Sequence, residues 1–223
     1  MTVWIAIILA YLLGAIPFSF LVARRVRGID LRKHGSGNLG ATNVYRTLGP
    51  AWGVGVLLMD MAKGAGAVLV MSLALGFVHE WDPNPLHLPD DIWRIAAGLM
   101  AALGHTASPF MGFKGGKGVA TTAGAYFVLA PYPLLITLGI FGIVVGVTRI
   151  VSLASITAAA VLPFAVLVFE LKSDGFSKTI TFVTFAVCAW VIVKHRANIR
   201  RLQDGAEQPL STDATDEGEE SRP

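Results

Sequence analysis

Long apolar runs separated by short polar loops dominate this chain. Crossing the hydrocarbon core of a bilayer takes about 20 mostly apolar residues in a helix. Val3 to Ala23 meets that length, with Gly14 and Pro17 inside the run. Membrane helices tolerate such residues when neighbours satisfy the freed backbone groups. A second run extends from Pro50 to Leu75 and a third from Ile92 to Pro109. Four more follow: Val119 to Ala130, Tyr132 to Val147, Val151 to Phe169, and Thr179 to Val193. The first two of these are short and are separated by Pro131 and Pro133. The pattern predicts an all-α polytopic membrane protein with seven transmembrane helices. After Leu202 the apolar pattern stops, and residues 203–223 become rich in Asp, Glu, Ser and Thr. Such a segment cannot bury a core and is expected to be a disordered acidic tail. The chain thus reads as a membrane domain, 1–202, and a tail, 203–223.

Composition agrees. Hydrophobic residues make up 54% of the chain and charged residues 15%, with a mean hydropathy of +0.62. Soluble domains average about 25% charged residues. The net charge of +3 does not point to nucleic acid, because the basic residues flank the apolar runs. Arg24, Arg25, Arg27, Arg32 and Lys33 follow the first run at once, which puts that loop in the cytoplasm and the N-terminus outside. The loop from Gly76 to Asp91 carries Glu80, Asp82, Asp90 and Asp91 but no Lys or Arg, which suits the external face. Seven spans then leave the C-terminus in the cytoplasm. The first run has no basic residue before it and no small-residue cleavage site, so it is expected to be retained. Cys188, the single cysteine, sits in an apolar run and reads as packing. His79 and His87 read as solvated loop residues.

Two ionisable residues stand at membrane depth. Asp60 and Lys63 are one turn apart and share a helix face. An ion pair that orients helices and a role beside an active site are both open readings.

Three polar segments fall on the predicted cytoplasmic side. Gly35-Ser36-Gly37-Asn38-Leu39-Gly40-Ala41-Thr42-Asn43, with Arg46 beyond, combines glycines, hydroxyls, amides and a guanidinium. Consecutive backbone N–H groups in such turns can form an anion site, and an arginine fork suits phosphate. Next, Gly104-His105 leads to Phe113-Lys114-Gly115-Gly116-Lys117-Gly118-Val119-Ala120-Thr121. This segment lacks the Gly-x-x-x-x-Gly-Lys-Ser/Thr spacing of nucleotide-binding loops, so ATP hydrolysis is not expected. The third is Lys194-His195-Arg196-Ala197-Asn198-Ile199-Arg200-Arg201-Leu202, where a continuing helix would point His195 and Asn198 the same way. Taken singly, each also fits a turn or a basic interfacial cap. Together they suggest one shared anionic site. No clustered carboxylates near these loops suggest a metal.

These three motifs resemble those of the bacterial acyl-phosphate:glycerol-3-phosphate acyltransferases, polytopic inner-membrane enzymes of phospholipid synthesis. The resemblance runs from the first span to Leu202 and includes Asp60-x-x-Lys63-Gly64. It implies transfer of an acyl group from acyl phosphate to the 1-hydroxyl of glycerol 3-phosphate, giving lysophosphatidic acid and phosphate, without a cofactor. It implies catalytic roles for Ser36, Arg46, Lys117 and His195. Substrate-binding roles fall to Gly37, Asn38, Thr42, Asn43, His105, Lys114, Gly115, Gly116 and Asn198. Backbone N–H groups of Ser36-Gly37-Asn38 and of Gly115-Gly116 are expected to help hold phosphate or a developing oxyanion. The expected partners are the two substrates and membrane lipid. His195 and the acceptor's own phosphate are both candidates for the general base. A transporter of a phosphorylated metabolite is the competing class, since Asp60 and Lys63 would serve it too.

Overall fold

The computed structural model describes residues 2–81, 88–172 and 177–210, without the side chains of 78–81. The side chain of His79, all of His87, and tail residues 211–223 therefore lie outside the described residues. Among the described residues ten α-helices follow in order: α1 (Thr2–Ala15), α2 (Phe18–Arg27), α3 (Ala41–Leu48), α4 (Pro50–Trp81), α5 (Asp90–Thr106), α6 (Val119–Leu129), α7 (Pro131–Thr148), α8 (Val151–Lys172), α9 (Lys178–Lys194) and α10 (Arg196–Gln203). Short 3₁₀ turns sit at Leu31–Lys33 and Pro109–Met111. No strand occurs among the described residues.

Each predicted run is a helix or a broken helix pair. The first run breaks at Ile16-Pro17, because proline has no N–H to donate to the preceding turn. Two carbonyls at the break are satisfied from distant segments, the loop after α5 and helix α4. Ser108 Oγ donates to Ala15 O at 2.7 Å, and Lys63 Nζ donates to Ile16 O at 3.0 Å. The last run breaks at His195, where α9 and α10 meet at a bend of 58°. The single continuous helix expected there does not form. Only Ala130 separates α6 from α7, and Pro131 opens α7, where its missing N–H costs no helical bond.

By length and apolarity alone, α1 with α2, most of α4, α7 and α8 can each cross a bilayer, and the bent α9–α10 pair would be a fifth. At 17 and 11 residues, α5 and α6 fall short. In α5 the apolar run also opens on Asp90, Asp91 and Arg94.

Two glycine pairs set the closest helix crossings. A Cβ on Gly14 would fall 2.1 Å from Ala101 O, and one on Gly104 would fall 2.2 Å from Tyr11 O, so α1 and α5 touch backbone to backbone. Likewise Gly64 would meet Thr121 O at 1.9 Å and Gly124 would meet Met61 O at 1.8 Å, which clamps α4 to α6. Small residues allow such approach, and membrane helices gain by dispersion from it. Two residues past Gly64, Gly66 would place a Cβ no nearer than 3.4 Å to Leu13 Cδ2, which is ordinary packing.

The buried apolar residues form three clusters. One joins α1, α4 and α5, one joins α5 to α9, and one lies beneath the Ser36 loop around Leu31, Val44 and Val56. Cys188 belongs to the second, as packing predicts. Large apolar side chains also face outward: Leu73, Val147 and Phe182 are 76%, 80% and 77% exposed. An exterior of that kind matches lipid rather than water.

Candidate active site

Four helix starts open onto one polar cavity of about 280 Å³, a volume near that of small-ligand sites. Residues in the first turns of α3, α6, α8 and α10 all line it. The N-terminus of a helix leaves backbone N–H groups without intrahelical partners and carries about half a positive charge. At α3, α6 and α10 no side chain caps those groups. Arg46, Lys117, Lys194 and Arg201 add full charges to the same walls. The arrangement is built for an anion.

The structure brings nine predicted residues to this cavity: Ser36, Asn38, Thr42, Asn43, Arg46, His105, Lys117, His195 and Asn198. Gly115 and Gly116 line a small adjoining cleft with Asp60 and His105. Gly37 and Lys114 line neither, and Lys114 points to solvent.

Asn43 is the scaffold of the Ser36 turn. Its Oδ1 accepts from Ser36 N at 3.0 Å, and its Nδ2 donates to His34 O at 3.0 Å and Asn38 O at 3.1 Å. Both ends of the amide are thus used on backbone. Gly35, at φ +55°, is required here, because a Cβ would sit 2.3 Å from Asn43 Oδ1. Four of the five backbone amides expected to hold an anion are already used within the protein. Ser36 N is taken by Asn43 and Gly37 N by His34 O. Gly115 N donates to Thr106 O and Gly116 N to His105 O. Helix starts, rather than these loop amides, provide the open N–H groups.

His195 sits at the α9–α10 bend and is 2% exposed. Its Nδ1 lies 2.8 Å from Val191 O. A carbonyl can only accept, so Nδ1 carries the hydrogen and Nε2 is left as the basic nitrogen. Burial, reinforced by the Lys117 charge, pushes the imidazole below its ordinary pKa and keeps it neutral at pH 7. Lys117 Nζ donates to Asn198 Oδ1. Burial pushes this ammonium down to about 8.

Residues past 202 complete the site. Glu207 Oε1 accepts from Ser152 Oγ and from Asn198 Nδ2, each at 2.6 Å, and Glu207 Oε2 accepts from Arg201 Nε at 2.6 Å. Burial works against its charge, but these three hydrogen bonds outweigh burial and hold the carboxyl below its usual range. Arg46 Nη2 donates to Gln208 O at 2.7 Å. The boundary expected at 202 therefore falls within α10, and residues 204–210 fold back onto the cavity. Sequence reasoning missed Glu207 because it stands at the head of an acidic stretch. It also missed Ser152, which follows the Arg149 turn without any surrounding motif. Arg201 was in view within the third segment but had no role.

An apolar slot adjoins the polar cavity. The two share Leu57, Val119, Ala120, Phe141 and Ser155, and the slot continues between α4, α6, α7, α8 and α9 to Leu134, Leu162 and Cys188. One site thus offers a place for a charged head and for a hydrocarbon tail.

The fold and site define a helical membrane protein with an anion pocket opening onto an apolar slot. The chain belongs to the glycerol-3-phosphate acyltransferase family, whose pattern it matches over residues 4–205. The glycerol-3-phosphate acyltransferase of Geotalea daltonii is 46% identical over 203 residues, covering 91% of this chain and 95% of that one. The Geobacter sulfurreducens enzyme of the same name is 45% identical over 198 residues, covering 89% and 92%. Among solved structures, the integral membrane glycerol 3-phosphate acyltransferase PlsY in its glycerol 3-phosphate form aligns with a TM-score of 0.79 at 36% identity, over 95% of this chain and 96% of that one. Its lysophosphatidic acid form aligns at 0.75 and the same identity.

Proposed function

We propose that this protein moves an acyl group from an acyl phosphate to the 1-hydroxyl of glycerol 3-phosphate, giving 1-acylglycerol 3-phosphate and inorganic phosphate. The observation that carries this reading is the meeting of three uncapped helix starts with Arg46 and Lys117, on a cavity whose wall is shared with an apolar slot. Both reactants bear phosphate and one bears a long chain. The related structures are a glycerol 3-phosphate form and a lysophosphatidic acid form, which supports the same acceptor and product here.

Arg46, Lys117 and the open N–H groups neutralise phosphate. Ser36, Thr42 and Asn198 hydrogen-bond the acceptor. The 1-hydroxyl oxygen attacks the acyl carbonyl carbon while His195 Nε2 takes the hydroxyl proton. The tetrahedral intermediate then breaks its bond to the phosphate oxygen. The electron pair leaves with phosphate, which accepts the proton from His195. Because the donor is already activated, the route calls on positioning and charge stabilisation and needs no cofactor. Lys114, Gly115 and Gly116 support the turn around Lys117 rather than contact substrate.

Seven crossings, with the N-terminus outside and the cavity at the cytoplasmic face of a bacterial inner membrane, fit the same reading. The basic cluster from Arg24 to Lys33 supports that orientation. The functional unit extends to residue 210, and 211–223 form the acidic tail. The test is purified protein in vesicles with palmitoyl phosphate and labelled glycerol 3-phosphate. Stoichiometric lysophosphatidic acid and phosphate are expected. Uptake of label without product would instead support a transporter. Arg46→Ala should lower kcat/KM by about 100-fold, as loss of a charge-assisted phosphate contact implies, while leaving membrane abundance unchanged.

A further inference from the structure

Asp60, Lys63 and His105 form a buried ionic cluster that the transfer chemistry does not use. Lys63 Nζ lies 2.8 Å from Asp60 Oδ1 and 2.8 Å from His105 Nδ1. The same ammonium donates to Ile16 O at the α1–α2 break. His105 Nδ1 is 3.5 Å from Asp60 Oδ1. The Lys63 and Asp60 side chains are 1% and 2% exposed. A buried ion pair adds little net stability, because desolvation offsets most of its attraction. The presence of this one is better explained by what it touches.

It touches the phosphate loops through one ring. Gly116 N donates to His105 O at 3.1 Å, and Gly115 N donates to Thr106 O at 3.2 Å, so the turn before Lys117 lies directly on this end of α5. The His105 ring fills the space that a side chain at 116 would occupy. A Cβ there would fall 2.2 Å from His105 Nε2 and 2.6 Å from Leu39 O. Leu39 belongs to the Ser36 loop. The ring, Gly116 and Leu39 O therefore pack around one point, where the segment carrying Ser36 meets the segment carrying Lys117. An ammonium can only donate, so Nδ1 accepts from Lys63 and the ring hydrogen sits on Nε2, toward Gly116 and Leu39.

We propose that Asp60 and Lys63 are positioning residues for the acyl transfer: they lock the His105 ring in one tautomer and one orientation, and the ring sets the gap between the Ser36–Arg46 loop and Lys117. The inference rests on the phosphate role given above to Arg46 and Lys117. It makes the charges at membrane depth part of the active-site frame rather than a transport path.

The decisive variant is the double change Asp60→Asn with Lys63→Gln, which removes both charges, leaves no lone buried ion and keeps an N–H donor for Ile16 O. Its glycerol 3-phosphate KM and kcat are measured in vesicles, and its thermal midpoint in detergent is measured with and without glycerol 3-phosphate. The double variant should keep a near-native midpoint, lose the midpoint rise on adding glycerol 3-phosphate, and fall about 100-fold in kcat/KM, the scale of an ångström-level misplacement. Native kcat/KM with a native ligand shift overturns the proposal. So does a lowered midpoint with unchanged KM, which is what a merely structural pair would give. If the double variant does not reach the membrane, His105→Gln, which keeps the ion pair, is judged by the same readouts. Arg46→Ala runs in parallel. Should Arg46→Ala stay active, the phosphate-site reading itself fails. Should it be inactive while the double variant is native, only the positioning role fails.

Discussion

The charge on Lys117 should impose an alkaline limit on glycerol 3-phosphate binding. Burial lowers this ammonium from 10.5 to about 8, with Arg201 and Arg46 pushing the same way and Glu207 opposing. With a pKa near 8, about nine in ten sites are charged at pH 7 and about one in ten at pH 9. If only the charged form binds the acceptor, KM should rise about tenfold across that interval. The acceptor's own phosphate ionises near pH 6 and is constant there. A bound dianion restores the proton, so kcat should change less than KM. Unfolding cannot imitate this limb. The unfolded lysine binds more protons than the folded one between pH 8 and 10.5, so stability rises through that window while affinity falls. The assay is initial-rate transfer in vesicles from pH 6.5 to 9.5, with Lys117→Arg as comparison. Arginine stays charged throughout, so its KM should be flat whatever its absolute value. A flat wild-type KM to pH 9.5, or the same limb in Lys117→Arg, would refute the reasoning.

His195→Ala should lower kcat by about 100-fold or more, as loss of a general base does, far beyond what the fall in thermal midpoint from emptying a buried site accounts for. Steady-state kinetics on the purified variant decide this, and loss of protein abundance alone would argue against it. Glu207→Gln removes the group that supports the charge on Lys117, so the alkaline limb should move below pH 8; the pH profile of KM reads it directly. Gly124→Ala drives a methyl to 1.8 Å from Met61 O and should destabilise the α4–α6 crossing by about 1–3 kcal/mol, seen as a lowered midpoint in detergent.

The helices were legible because apolar runs in a membrane chain have few other uses. Pro131 and Pro133 marked the α6–α7 junction to within a residue. The breaks were harder. Lys194 to Arg201 contains no Gly or Pro, so the bend at His195 follows from tertiary packing rather than local propensity. Pro17 was visible, but whether it kinks a helix or divides it depends on whether distant segments bring donors, and Ser108 and Lys63 do. The cavity residues were legible where charge and glycine occur together. Chemistry carried by backbone was not. The loop amides looked open in the sequence, yet Asn43, the carbonyl of His34 and the end of α5 take up four of them. Glu207 was hidden by its acidic neighbours, since composition cannot separate one folded carboxylate from a solvated run.

Glu207 provides part of the cavity wall and the carbonyls of Gln208 and Pro209 hold Arg46, and all three follow the last helix among the described residues. A chain cut after Gln203 keeps all ten described helices but leaves Arg46, Ser152 and Asn198 without these partners. Such a chain should insert fully and turn over poorly, which a truncation at that residue assayed in vesicles would read.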